Sequence, residues 1–298
     1  MLFDTHLHLI YPDRLSYPWL KNIHSLNKPH NFASYQKIAS RVGITEYLHM
    51  EVDVAENQIY EETALIAELM SNPEIELRGA ISACRPEAPE FPEFLEWAQT
   101  NPIIKGFRRV LHVVPNTLSQ TTLFRDNIKR LTGTGLTFDI CVSYNQLDLA
   151  IALVDHCPEV DFILDHCGVP DIKGGEIKVW SKSLTELAKR KNILAKISGL
   201  IAYGDHQTWT LDNIRPYFEH TVTAFGHKRI IWGSDSPVCN LGGGLETWVA
   251  ATYSITSDWD KKDKLAFFSG NAKSLWKFDA VLRRFHPIKQ NSNFDICF

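Results

Sequence analysis

The sequence predicts a single α/β domain folded as a (β/α)8 barrel, and three observations carry that expectation. Eight short apolar runs with strand character recur along the chain, at residues 1–10, 44–52, 76–83, 103–111, 136–142, 161–166, 193–199 and 230–236. Segments with helical spacing lie between them, among them 55–70, 91–100, 145–156, 178–191 and 213–225. Strands that alternate with helices build βαβ units and a parallel sheet, and eight units in about 240 residues match a barrel in count and length. The third observation separates the barrel from a doubly wound open sheet. The open sheet usually carries a glycine-rich phosphate loop after its first strand, and none stands here. The domain is expected to span residues 1–278, with residues 279–298 as a C-terminal appendage or oligomer contact; self-association is left open.

Composition narrows the function classes. Of the 298 residues 44% are hydrophobic and 22% charged, ordinary values for a globular protein. The net charge of −4, without a long Lys/Arg run, argues against a nucleic-acid partner. No apolar run approaches the roughly 20 residues that cross a membrane, and Asp4, His6 and His8 interrupt any signal-peptide core. The six cysteines are scattered without Cys-x-x-Cys spacing, which fits free thiols in a reduced, cytoplasmic protein.

The ends of all but the third strand are unusually polar, and in a barrel those ends form the active face. In the first strand, alternation places Asp4, His6 and His8 on one face and Phe3, Thr5, Leu7 and Leu9 on the other. Two imidazoles at i and i+2 can aim at one metal ion or one carbonyl oxygen. The connection at residues 11–34 is long for a βα loop and offers Trp19 as a cap over a pocket. The second strand ends with His49 and Glu51 on one face. In the fourth, Phe107 and Leu111 face the helices, so Arg108 and His112 face inward. The fifth turns Asp139 and Cys141 to one side, with Tyr144 at its tip. The sixth ends Asp165-His166-Cys167-Gly168. The seventh puts Lys196 and Ser198 on one side, and the eighth ends Gly233-Ser234-Asp235-Ser236-Pro237. Polar groups facing into a barrel are costly unless they meet partners or water. Six such ends converging with that of the first strand read as a site.

Asp4-Thr5-His6-Leu7-His8, Gly106-Phe107-Arg108, Asp165-His166-Cys167-Gly168-Val169-Pro170, Lys196-Ile197-Ser198-Gly199 and Gly233-Ser234-Asp235-Ser236-Pro237, in this order, resemble the amidohydrolase-related proteins. The likeness runs from about Leu2 to Phe278 and includes Gly270-Asn271-Ala272. Residues 14–20 look like the sugar-lactonase branch, which contains L-fuconolactonase, L-rhamnonolactonase-like enzymes and 2-pyrone-4,6-dicarboxylate lactonase. The resemblance implies a (β/α)8 barrel and hydrolysis of a small polar lactone, a sugar aldonolactone in the first instance. It implies that Asp235 activates water and that His6, His8 and His166 hold either a divalent metal or the substrate carbonyl, with Arg108 binding substrate.

Trp19, Tyr144, His112 and Lys196 are the expected substrate-lining residues. His6, His8, Asp235 and Glu51 are the expected metal ligands, for one ion of zinc type or none, because no fourth-strand lysine is placed to bridge two metals: Lys105 points to the helix side by its parity. A zinc-dependent decarboxylase of the same superfamily, or a barrel that binds a metabolite without turnover, are the alternatives.

Overall fold

The computed structural model describes residues 2–278; the expected appendage at 279–298 lies outside them. Eight strands, β1 (Leu2–Leu7), β2 (Ile44–Met50), β3 (Leu77–Ala83), β4 (Ile104–Val110), β5 (Thr137–Cys141), β6 (Phe162–Leu164), β7 (Ile193–Ser198) and β8 (Ile230–Gly233), form one sheet in chain order. Every neighbouring pair from β1–β2 to β7–β8 is parallel. The ring closes where β1 meets β8. There Leu7 bridges Ser236, the Asp235 N–H donates to the His6 carbonyl at 3.0 Å, and Thr5 Oγ1 donates to the Trp232 carbonyl at 2.7 Å. The expected (β/α)8 barrel is the observed fold.

The helices between strands are α1 (Phe32–Ala39), α2 (Ile59–Met70), α3 (Phe91–Gln99), α4 (Thr122–Lys129), α5 (Leu147–His156), α6 (Ile177–Leu187), α7 (Leu211–Phe225) and, after β8, α8 (Leu245–Ile255). Among these α1, α4 and α8 were not singled out above. Two of them begin on side-chain caps, Asn31 accepting from the Ser34 N–H and Thr121 from the Phe124 N–H. Such caps satisfy one of the orphan donors of a helix start. Phe107, Phe138, Phe162, Trp180, Trp232 and Trp248 are buried between the strands and this helical layer. Each such burial contributes roughly 1.5–3 kcal/mol or more. Phe3, Leu48, Met50, Ile81, Ile163 and Ile231, from β1, β2, β3, β6 and β8, form a second apolar cluster that plugs the barrel beneath the site.

Two alternation assignments from the sequence are corrected by the local backbone. The pairing of β1 with β2 shifts register between Asp4 and Leu7. A bulge of this kind breaks the period of two. Asp4 therefore turns toward α1, where its carboxylate accepts from the Tyr35 hydroxyl and from the Ser234 N–H, while His6 points into the barrel. The other correction lies on β2. His49 faces the helical layer, 3.4 Å from Glu62 on α2, while Glu51 beyond the end of the strand turns inward to Arg108. Alternation ends with the strand at Met50.

Two glycines let the strand ends approach one another. A Cβ on Gly233 would lie 2.7 Å from the His6 Cβ, and one on Gly199 would lie 2.5 Å from the Asp235 Cβ and Oδ2. Gly199 also adopts φ +58°, the left-handed region that costs other residues conformational energy. Gly199→Ala is therefore expected to lower the melting temperature and to reduce turnover at least about tenfold by pushing Asp235 aside. Thermal melts and steady-state kinetics on the same preparation check it, and wild-type turnover would mean that the position of Asp235 has slack.

Candidate active site

A cavity of about 240 Å³ opens at the carboxyl ends of the strands. Its walls carry His8, Asp53, Arg108, His112, Cys141, His166, Tyr203 and Asp235 as polar groups, with Trp19, Val52, Val110, Val113 and Val238 between them. A larger groove of about 420 Å³ runs beside Lys105, Asp161 and Trp276, but no histidine among the described residues lines it. The grouping that can do chemistry is in the smaller cavity.

At its floor Asp235 sits among three imidazoles. Its Oδ1 is 3.4 Å from His8 Nε2 and 3.9 Å from His6 Nε2, and its Oδ2 is 3.7 Å from His166 Nδ1. The backbones of Asp235 and His166 are left-handed, at φ +58° and +50°. Such conformations cost on the order of 1–3 kcal/mol each and persist where surrounding bonds over-determine them. Here the Cys239 N–H donates to the Asp235 carbonyl at 2.8 Å, and the Val169 N–H to the His166 carbonyl at 3.0 Å.

Burial dominates the electrostatics. It holds the pKa of His6 well below the ordinary imidazole range, brings His8 down to about 3 and lowers His166, so all three rings are neutral near pH 7. The same burial lifts Asp235 to about 6, with His166 and Arg108 opposing the rise. His8 Nδ1 lies 2.9 Å from the Glu51 carbonyl and 3.1 Å from that of Met50. That nitrogen must donate, which leaves a lone pair on Nε2 aimed at Asp235. Two acceptors facing one another at 3.4 Å call for a proton or a cation between them.

The donor set fits a divalent metal on that ground. His6, His8 and Asp235 each offer one ligand atom, all within 4.8 Å of one another, and His6, Asp165 and His166 form a second such group. His6 Nδ1, both Asp165 oxygens and Asp235 Oδ2 are buried without hydrogen-bond partners. Two imidazole nitrogens and a carboxylate suit a zinc-like ion with an open position.

Glu51, expected above among the metal ligands, is engaged elsewhere. One of its oxygens accepts from Arg108 Nε, and the other accepts from the Asp53 N–H at 2.6 Å. Arg108 is held in turn, because its Nη2 donates to the Glu51 carbonyl at 2.8 Å and its Nη1 lies 3.2 Å from His6 Nε2. Burial would strip the guanidinium of its proton, but the Glu51 charge outweighs that and raises its pKa well above the ordinary value. Arg109 points the other way, to Glu87 at 2.7 Å, so the parity read for the fourth strand stands. Lys105 likewise points outward, donating to the Pro102 carbonyl at 2.7 Å.

Of the expected lining residues, Trp19 and His112 stand in the cavity wall. Trp19 is fastened there by its indole N–H to the Val52 carbonyl at 2.7 Å. His112 Nδ1 lies 3.5 Å from Cys141 Sγ. Tyr144 does not reach the cavity; it starts a helical turn before α5 and packs against the outer core. Lys196 is also absent from the wall. It is fully buried below the floor, between Asp139 at 2.6 Å and Asp165 at 3.1 Å. Both misplacements come from reading inward direction as access: one side chain lies past the strand end, the other too deep. Tyr203 is not named from the sequence, because it stands in the connection after β7 that carries no motif, and Asp53, at the polar end of the second strand, is given no role there. Asp165 lay inside a quoted motif without a role.

Comparison with known proteins gives the family and the fold. The amidohydrolase family model matches residues 3–278. The y4mH protein of Sinorhizobium fredii is 24% identical over 294 residues, covering 93% of this chain and 98% of that protein. An L-fucono-1,5-lactonase of Burkholderia ambifaria is 32% identical over 149 residues, 48% of this chain and 51% of that enzyme. A zinc-bound crystal structure of an amidohydrolase from Burkholderia multivorans superposes with a TM-score of 0.83 at 22% identity, covering 93% of this chain and 99% of that one. With eight parallel strands in a ring, the His-x-His pair and Asp235 at one mouth, and the match over nearly its full length, the chain belongs to the amidohydrolase family.

Proposed function

We propose that this protein hydrolyses a small uncharged lactone, an aldonolactone of the kind named for the L-fucono-1,5-lactonase relative. The observation that carries the reading is Asp235, a buried carboxylate whose pKa of about 6 lies near working pH, set among three neutral imidazoles at the floor of a small cavity. A base is most useful when its pKa lies close to the operating pH. The cavity volume of about 240 Å³ falls below the roughly 300–1,000 Å³ of sites for drug-sized ligands and suits one small ring.

The charge of the wall favours a neutral substrate over a carboxylate. Arg108 is the cation in the wall, and Glu51 neutralises it; Asp53 is paired with Arg85 at 3.7 Å, and Asp235 adds negative charge. A carboxylic acid undergoing decarboxylation, or a dicarboxylate, would meet the like charge of Asp235 and an arginine already bonded through Nε and Nη2. A lactone meets no such penalty.

In the proposed reaction Asp235 takes a proton from a water molecule as that water attacks the lactone carbonyl. The developing oxyanion is stabilised by the remaining N–H groups of Arg108 and by ring N–H of His166, whose Nδ1 is held by Ser198 Oγ at 2.8 Å. The ring C–O bond breaks, the alkoxide takes the proton back from Asp235, and a hydroxy acid leaves. His6, His8 and Asp235 are the residues that would hold a divalent metal, which would supply Lewis-acid polarisation of the carbonyl. Trp19 offers an aromatic face, and His112, Tyr203 and Asp53 offer polar contacts for ring hydroxyls. No described helix is long and apolar enough to cross a membrane, and a cytoplasmic small molecule is the partner this reading needs.

The test is acid release from a panel of aldonolactones, run on chelator-treated and on zinc-loaded protein with metal analysis of both. Hydrolysis by either form, with no more than one metal per chain, supports the reading. Release of carbon dioxide from an aromatic acid would replace it with a decarboxylase, and binding without turnover would leave a metabolite-binding barrel.

A further inference from the structure

Three charged groups inside the barrel take no part in the reaction above: Asp139 on β5, Asp165 after β6 and Lys196 on β7. None has any exposed surface. Lys196 Nζ lies 2.6 Å from Asp139 Oδ2 and 3.1 Å from Asp165 Oδ1. An isolated buried ion pair is a poor way to add stability, since desolvation of two charges offsets most of their attraction. An apolar plug of the kind already present one layer below, Ile163 and Ile231, would serve packing as well.

What distinguishes this group is its upper contact. Asp165 Oδ1 is 3.4 Å from His6 Nδ1, and Asp165 Oδ2 is 3.5 Å from Arg108 Nη1. On the other side of the same imidazole, Arg108 Nη1 lies 3.2 Å from His6 Nε2. A ring with a carboxylate at Nδ1 and a guanidinium at Nε2 has one compatible neutral tautomer. Nδ1 carries the hydrogen toward Asp165, and Nε2 keeps its lone pair toward Arg108 and the cavity floor.

We propose that Lys196 is a positioning residue, which by anchoring Asp165 beneath His6 locks that imidazole in the Nδ1–H tautomer and in its orientation. The chain of contacts runs Lys196, Asp165, His6, with Asp139 steadying the ammonium from the far side. Carboxylate partners behind a metal-ligating histidine typically contribute about 10–100-fold to metal affinity or activity. Without the ammonium, Asp165 keeps only the Arg108 contact on its Oδ2, its Oδ1 is no longer fixed under the ring, and His6 samples both tautomers. The effect on rate rests on the proposed hydrolysis; the tautomer does not, so the two can fail separately.

The experiment uses full-length, chelator-treated protein labelled with ¹⁵N-histidine, the His6 ring being assigned by the signals lost in His6→Gln. The wild type is expected to show Nδ1 protonated and Nε2 as an acceptor. In Lys196→Met the two nitrogens should move toward averaged values, with kcat reduced about 10–100-fold and KM little changed. Asp139→Asn, which keeps the Lys196–Asp165 contact, should retain the wild-type tautomer. Should Lys196→Met fail to fold, Asp165→Leu carries the same test, because it leaves no acceptor under Nδ1. A wild-type tautomer in the folded variant lacking either group overturns the proposal, as does an Nε2–H tautomer in the wild type. Loss of rate with the tautomer unchanged overturns it as well.

Discussion

Asp235→Asn is expected to lose about 10²- to 10⁴-fold in kcat while still binding an unreacted lactone. Asparagine keeps the shape of the side chain and one acceptor oxygen, but it cannot take the proton from water. In the wild type the carboxylate must be ionised to act, and burial lifts its pKa to about 6. The ionised fraction therefore grows as pH rises through 6, so kcat/KM of chelator-treated protein should climb through that pH and then level. The variant should lose that limb of the profile. His24→Ala, on the exposed loop before α1, is the control. A variant with near wild-type turnover would remove Asp235 from the mechanism, and an equal loss in the control would show that the assay reads stability instead of chemistry.

Arg108→Ala carries the other large effect, and it falls first on stability. The sequence alone suggests a substrate-binding arginine whose removal raises KM and leaves the fold untouched. The structure ties it to Glu51 by a charge-assisted hydrogen bond and to the Glu51 carbonyl, with both residues buried. Taking away one partner strands a carboxylate without a counter-charge, which costs about 3–5 kcal/mol and, in a domain of this size, lowers the melting temperature on the order of 10 °C. The double variant Arg108→Met with Glu51→Gln should recover most of that stability, because no buried charge is left alone. It should not recover turnover, since no guanidinium remains beside His6 Nε2 and the reacting carbonyl. Full stability in Arg108→Ala would contradict the buried pair. Full activity in the double variant would take Arg108 out of the site.

Much of the architecture and part of the site were legible before any coordinate. Alternating apolar strands and helical segments lead to a barrel because a parallel sheet buried on both faces requires continuous apolar runs with crossover helices. His6, His8, His166, Arg108 and Asp235 were all picked out as polar residues at the ends of such runs, and they meet at one mouth. Four placements failed, each for a local reason; that of His49 is that alternation ends with β2 at Met50, so it faces Glu62 while Glu51 turns inward. Alternation along β1 breaks at the register shift before Leu7, which sends Asp4 to Tyr35 and not to the site. Tyr144 falls past the end of β5, where parity no longer applies. Lys196 faces inward as read, yet lies a layer too deep to meet a substrate.

By itself, then, the sequence determined the barrel, the strands that bear the chemistry and the identity of the groups at their ends, because period and composition act locally along the chain. Pairing among those groups was decided by the tertiary structure alone. Glu51 could have been a ligand or a counter-ion, and only its approach to Arg108 across the barrel makes it a counter-ion. Asp235 reads as an ordinary carboxylate until the fold buries it among three imidazoles and lifts its pKa to about 6. Desolvation and distance arise between strands far apart in sequence, and no periodicity within one strand encodes them.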